Sequence, residues 1–203
     1  MTELTLATRN RHKLTEFGRM LAPHALAVLE LPEHVSLPPE DGDSFTANAL
    51  IKARSAAAAL GRPVLADDSG IEAAALGGRP GIRSARFAGE HASDAENLAK
   101  LIAEVPSGSG LRYVCVLAYV NGPLERVFTG YCDGSMAPQP CGKHGFGYDP
   151  VFLPADGPSG LTMAQLDDAA KDSISHRGRA IRGFAQWFAL DPQAQPGLPR
   201  TVR

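Results

Sequence analysis

The sequence is short of cysteine, of net charge and of long apolar runs, and each shortage excludes a class of protein. Its three cysteines, Cys115, Cys132 and Cys141, form no Cys-x-x-Cys pair and have no histidine at a zinc-type spacing. Neither a disulfide framework nor a structural zinc site is therefore expected. They read as reduced thiols, two of them inside apolar strands, and point to a reducing compartment. No apolar run reaches the roughly 18 residues that a membrane span needs. The chain opens on Met1-Thr2-Glu3 and a short strand-like run, without a basic segment followed by an apolar one, so a signal peptide is not expected and the cytoplasm is the expected location. The net charge of −2 lacks the basic excess of a dedicated polyanion binder. A stable nucleic-acid partner and a membrane partner are both unexpected. Positive charge gathered locally in one site stays compatible with that balance. There is also no internal repeat and no low-complexity linker.

What the chain does have is enough length and apolar content to bury a core: 203 residues, 44% hydrophobic and 21% charged. Leu4 to Ala7 reads as a buried strand. Asn10 is a plausible N-cap for a helix with Leu14, Phe17 and Leu21 on one stripe, closed by Pro23. Ala25 to Leu31 is a second strand, and residues 32–43, rich in Pro, Asp and Glu, form a loop. A helix from Asp43 or Ser44 carries Phe45, Ala49, Ala53, Ala56 and Leu60 on one face, with Gly61 and Pro63 as its stop. Val64-Leu65-Ala66 is a short strand that ends in Asp67-Asp68-Ser69-Gly70. Residues 77–91 are a glycine-rich loop, and a helix covers about Ser93 to Val105. Leu111 to Val120 suits a central strand, turned back at Asn121-Gly122 into Leu124 to Cys132. Residues 133–150 are again irregular, helices are expected near 162–170 and 176–190, and the Pro-rich tail 191–203 is expected to fray. Strands and helices intermix, so the class is α/β, with residues 1–190 as one domain.

Five clusters along this framework can carry chemistry. Thr8-Arg9-Asn10-Arg11-His12-Lys13 joins a strand to a helix start, where free backbone N–H groups and the helix dipole favour an anion. Lys13 in the first turn is unfavourable unless an anion answers it. A solvated basic helix start explains the same residues. Asn48 and Lys52 share a helix face at i, i+4, which suits a phosphate ligand or a polar outer face. Asp67 and Asp68 at a strand end suit magnesium, a hard cation that takes oxygen ligands, because two charges there are costly without a counter-ion. Glu40 in the acidic loop is a further candidate ligand. Gly145-Phe146-Gly147-Tyr148-Asp149-Pro150 sets two rings among glycines, either a stacking platform for a base or a turn that buries both rings. Lys171 and Ser173-Ile174-Ser175-His176-Arg177-Gly178 supply donors, with Ser175 as N-cap. Donors facing a 6-keto purine leave a 6-amino group unpaired, and such sites discriminate by ~10⁴ or more.

The order of these clusters is more telling than any one of them. Thr-x-Asn-x-x-Lys, Phe-x-x-Asn-Ala-x-x-Lys-Ala, Ala-Asp-Asp-Ser-Gly-Ile, Leu-Gly-Gly-x-Pro-Gly, Gly-Phe-Gly-Tyr-Asp-Pro-x-Phe and Ser-x-Ser-His-Arg-Gly follow one another. From about Leu4 to Phe188 the chain resembles the inosine triphosphate pyrophosphatase family. The resemblance implies an elongated mixed-sheet α/β fold with two lobes around a deep central cleft, a homodimer, and magnesium-dependent hydrolysis of ITP, dITP and XTP to the monophosphate and pyrophosphate. It implies that Thr8, Asn10, Lys13 and Lys52 hold the triphosphate, that Glu40 and Asp68 bind Mg²⁺, and that Asp68 is the base for the attacking water. Ser69 would touch the substrate, Phe146 would stack on the purine, and Gly147, Tyr148, Asp149, Lys171, His176 and Arg177 would shape and read it.

Three positions depart from the family pattern: Arg9 stands where Gly is usual, and Ala47 and Gln165 stand where Glu is usual. The two lost carboxylates keep a binding module without catalysis in view, which would bind ITP and not turn it over. A pyrophosphatase with another base preference is the nearer alternative, and the Ser-His-Arg cluster speaks against it.

Overall fold

The computed structural model describes residues 1–191 and 194. Of the tail expected to fray, all but Asp191 and Ala194 lie outside the described residues. The chain forms strands β1 (Thr2–Leu6), β2 (Leu26–Glu30), β3 (Val64–Ala73), β4 (Gly110–Asn121), β5 (Leu124–Met136) and β6 (Phe152–Pro154). Its helices are α1 (Arg11–Leu21), α2 (Phe45–Leu60), α3 (Asp94–Glu104), α4 (Asp168–Ile174) and α5 (His176–Leu190). The strands make one six-stranded sheet in the order β2-β1-β3-β4-β5-β6. β1 runs parallel to both β2 and β3, and β5 runs antiparallel to β6, so the sheet is mixed.

The chain divides into two compact units. The first comprises Met1–Asp68, Val116–Thr129 and Ala180–Arg203, and the second Ser69–Cys115 and Gly130–Arg179. Within the first unit, α1 starts where the Asn10 side chain accepts from the Lys13 N–H at 3.2 Å and turns Phe17 and Leu21 fully inward. Each such side chain contributes about 1.5–3 kcal/mol. Helix α2 starts at Ser44, whose side chain accepts from the Ala47 N–H, and stops at Gly61 in the left-handed region (φ 60°). Its buried alanines, Ala49, Ala53 and Ala56, share that inner face with Asn48 and Lys52, which are 0% and 5% exposed. A polar outer face therefore does not explain that pair. Tyr119, Phe128, Phe184, Trp187 and Phe188 form an aromatic cluster in the same unit.

The second unit has its own core of Ile71, Leu101, Leu111, Tyr113, Met136, Tyr148, Phe152, Met163 and neighbours. Helix α3 opens on a complete Ser93/Glu96 capping box. The glycine-rich loop after β3 is more ordered than its composition suggests. It holds a 3₁₀ turn over Gly81–Arg86, and Ser84 ties it to the backbone of Ile71.

Three expected boundaries need correction. The strand expected to end at Cys132 runs on to Met136, because Gly134–Met136 pair with β6. The third strand does not end at the aspartates but runs on to Ala73. What ends there is its neighbour: β1 pairs with β3 only through Thr5–Val64 and Leu6–Leu65, with one further bond from the Ala7 N–H to the Leu65 carbonyl at 2.7 Å. The helix expected near 162–170 is instead a 3₁₀ turn over Met163–Gln165 followed by α4 from Asp168. Asp167 caps α4 by accepting from the Ala170 N–H at 2.8 Å, and a second cap at Thr162 holds the 3₁₀ turn apart from it.

Candidate active site

The end of β1 leaves β3 without its parallel neighbour just where Asp67 and Asp68 occur, and the first unit gathers its charged groups there. The Lys13 ammonium lies 3.0 Å from Asp67 Oδ1. Helix α1 has no acid in its first turn, so Asp67 is the protein's own answer to that misplaced cation. Lys52 reaches from α2 to three acceptors: a short ion pair with the Glu40 carboxylate, the Asp67 carbonyl at 2.7 Å and Asp68 Oδ1 at 3.4 Å. Burial alone pulls Lys52 down, but attraction to Asp68, Asp67 and Glu40 outweighs it, and the ammonium titrates above the ordinary lysine value. For Asp68 the balance falls the other way. Burial raises its pKa, Lys52 and Lys13 pull against that, and Glu40 and Asp67 add to it, so the carboxyl titrates above the ordinary aspartate range.

Three carboxylates thus face two ammonium groups, an excess of one negative charge. Asp68 Oδ2 is buried with no hydrogen-bond partner. An orphaned carboxylate oxygen beside excess negative charge fits a hard divalent cation. Among the described residues no group of three or more His, Cys, Asp or Glu side chains is arranged to hold a metal. A cation here would take one or two protein oxygens and complete its shell with water and phosphate oxygens, which is the habit of magnesium. Thr8 and Asn10 are committed locally: Thr8 Oγ1 accepts from the Asn10 N–H at 3.2 Å, and Asn10 is the cap of α1.

The second unit brings the aromatic and donor clusters together around one carboxylate. Asp149 Oδ2 accepts from Lys171 Nζ at 2.6 Å and from the Phe146 N–H at 3.0 Å, and its Oδ1 accepts from the Tyr113 hydroxyl at 3.0 Å. Both charged side chains of the pair are only 5% exposed. Tyr113 also stacks on His176, with ring centroids 4.5 Å apart and planes 10° from parallel. Burial, and then the Asp149 charge, push the Tyr113 hydroxyl well above the ordinary tyrosine value, which keeps it a donor. The cationic heads of Lys171 and Arg177 lie 5.2 and 5.6 Å from the centre of the half-buried Phe146 ring. Arg177 Nη2 donates to Ser69 Oγ at 2.9 Å. Tyr148 is buried in the core, with its hydroxyl on the Ser84 carbonyl at 2.7 Å. Gly147 donates its N–H to Asp94. Gly145 is required: at φ +72° a Cβ would meet Asp149 Oδ2 at 2.0 Å. Ser175 caps α5, accepting from the Gly178 N–H at 3.0 Å.

Tyr113 is the site residue that sequence reasoning missed. It sits inside an apolar strand, where an aromatic residue reads as core, and only its hydroxyl distinguishes it. The two lost glutamates also change meaning. Ala47 is the third residue of α2 after its Ser44 cap, the place where Glu completes a capping box. Gln165 completes such a box with Thr162. Both departures fall on helix caps.

Among the described residues no helix is long and apolar enough to cross a membrane. Residues 4–187 match the model of the Ham1 family. A dITP/XTP pyrophosphatase of Oceanobacillus iheyensis is 41% identical over 93% of this chain and 98% of its own length. One from Mycobacterium bovis is 46% identical over 89% of this chain and 92% of its own. The structure of a HAM1 protein from Coxiella burnetii superposes with a TM-score of 0.83 at 38% identity, covering 94% of this chain and all of that one (100%).

Proposed function

The chain belongs to the Ham1 family, and on that footing we propose that it hydrolyses the deaminated purine nucleoside triphosphates ITP, dITP and XTP to the monophosphate and pyrophosphate. The observation that carries this reading is Asp68: buried, with one oxygen unpartnered, and set between two lysines and a second carboxylate. Phosphoryl-type hydrolysis asks for positioning and charge neutralisation more than covalent help. Lys13, Lys52, Thr8, Asn10 and the first N–H groups of α1 hold the triphosphate. Glu40 and Asp68 would hold magnesium, which when bound neutralises phosphate charge and acidifies a water. Asp68 takes the proton of the attacking water.

Phe146 stacks on the purine, and Lys171, His176 and Arg177 present donors to the 6-keto oxygen. Asp149 holds Lys171, and through Tyr113 it reaches the ring of His176, so the donors are oriented before the base arrives. Ser69, Gly147 and Tyr148 complete the surroundings of the base. An adenine amino group would set donor against donor. We further propose that residues 1–190 act as one catalytic domain of a cytoplasmic homodimer. The thiols of Cys115, Cys132 and Cys141 suit a reducing compartment.

The test is pyrophosphate release from ITP, XTP, dITP, ATP and GTP with and without magnesium. Strong magnesium-dependent release from the first three and little from ATP is expected; guanine shares the 6-keto oxygen, so ATP is the discriminating control. ITP binding without release at any magnesium concentration would make the chain a binding module. That alternative loses its motive in the observation that Ala47 and Gln165 fall on helix caps.

A further inference from the structure

Arg9 stands in the strand–helix turn among the candidate phosphate ligands, yet its side chain turns elsewhere. Nη1 donates to the Leu31 carbonyl at 2.6 Å, and Nη2 to those of Pro32 at 2.9 Å, Glu33 at 3.3 Å and Val35 at 2.8 Å. One guanidinium therefore collects four carbonyls from the first residues after β2. These open the irregular segment that carries Glu40 and ends at the Ser44 cap. The backbone bond recorded within that segment is a turn, from the Val35 N–H to the Pro32 carbonyl at 3.0 Å. At its far end, buried Asn48 accepts from the Gly42 N–H at 2.8 Å. Gly42 is packed so closely there that a Cβ would meet Asn48 Oδ1 at 2.7 Å and the Ala47 Cβ at 2.8 Å. Glu40 lies between these two anchors, paired with Lys52.

We infer that Arg9 is a positioning residue: with Asn48 it clamps the 31–43 segment at both ends, so that Glu40 is held on Lys52 beside Asp68 before any substrate or metal arrives. The planar guanidinium suits the task because its donors are fixed in one fork and its charge survives at any physiological pH. A lysine offers a point charge and cannot reach four carbonyls at once. A glycine offers nothing, and the segment would then keep only its Gly42 anchor and the Glu40 pair.

The clamp is tested on metal-free, nucleotide-free protein by hydrogen exchange at the Val35 and Gly42 amides. In Arg9→Ala the Val35 amide is expected to exchange about tenfold faster or more, since hydrogen bonds to a charged group are the strong ones, while the Gly42 amide keeps its own bond to Asn48. Amides in the last turns of α2 should be unchanged. Millimolar guanidinium should restore protection in Arg9→Ala, which has room for it, a response that general destabilisation does not give. Should Arg9→Ala not fold, Arg9→Lys carries the same measurement with a smaller effect.

The link to Glu40 rests on the pyrophosphatase reading and is tested by metal. The manganese concentration for half-saturation, read from the free-ion EPR signal, and the magnesium concentration for half-maximal ITP hydrolysis should both rise about tenfold. The rate at saturating magnesium should be largely kept. Unchanged exchange would overturn the clamp. Faster exchange with unchanged metal requirements would overturn its role in placing Glu40. A wild-type protein that hydrolyses none of the nucleotides would sink the pyrophosphatase reading, while the exchange and manganese measurements would still decide the inference.

Discussion

Replacing Lys171 with Met removes the ammonium that faces Asp149 and keeps most of the stem. The carboxylate would remain buried, holding only the Tyr113 hydroxyl and the Phe146 N–H. Both charged side chains are about one-twentieth exposed (5% each), so water does not take over the lost partner. Breaking such a buried pair costs about 3–5 kcal/mol, against a total stability on the order of 5–15 kcal/mol. For a chain of this size that lowers Tm by roughly 6–20 °C. The assay is urea unfolding at neutral pH followed by circular dichroism, on wild type, Lys171→Met and the double variant Asp149→Asn/Lys171→Met. The double variant leaves no uncompensated charge, and its amide still has an oxygen for Tyr113. It should recover about half or more of the loss. A double variant no more stable than Lys171→Met would refute the reasoning, because the damage would then come from packing and not from a stranded charge. A loss below about 1 kcal/mol in the single variant would also refute it, by giving the pair the value of a screened surface contact.

Three further outcomes follow from the same geometry. Asp68→Asn should abolish turnover yet make the metal-free protein more stable at neutral pH. The folded pKa of Asp68 is raised, so its ionised form costs stability above that value, and the gain should shrink as pH falls through the folded pKa and be gone below the unfolded aspartate value of about 3.9; near-normal activity would remove Asp68 as the base, and a less stable variant would contradict its electrostatics. Arg177→Ala, which frees Ser69 and uncovers Phe146, should erode the preference for ITP over ATP; an unchanged ratio means that the base is read elsewhere. Ala47→Glu completes the box opened by Ser44 and puts a negative charge in the first turn of α2. It should raise stability by about 0.5–1 kcal/mol without changing the magnesium requirement, whereas a lower magnesium requirement would make the position a metal ligand after all.

Much of the framework was legible because its signals are local. Asn10, Ser44, Ser93 and Ser175 cap helices within three residues of themselves, and Gly61 stops α2 by its own backbone freedom. The candidate site motifs are legible too, because each is a short run of neighbouring residues in the sequence. The third strand was read too short because Asp67-Asp68-Ser69-Gly70 has poor strand propensity. Pairing with other strands overrides propensity, and β3 continues through those residues.

By itself the sequence determined which residues are available, where most helices begin, and the order of motifs that identifies the family. Only the tertiary structure decided who faces whom. Lys13 meets Asp67 across 54 positions of chain, and Tyr113 meets Asp149 across 36. Arg9 meets carbonyls 22 to 26 positions away. Such partnerships have no sequence period to betray them, because they are set by which chain segments the sheet and its loops bring together. Burial then sets their strength, holding lysines and aspartates in ion pairs that water would weaken at the surface.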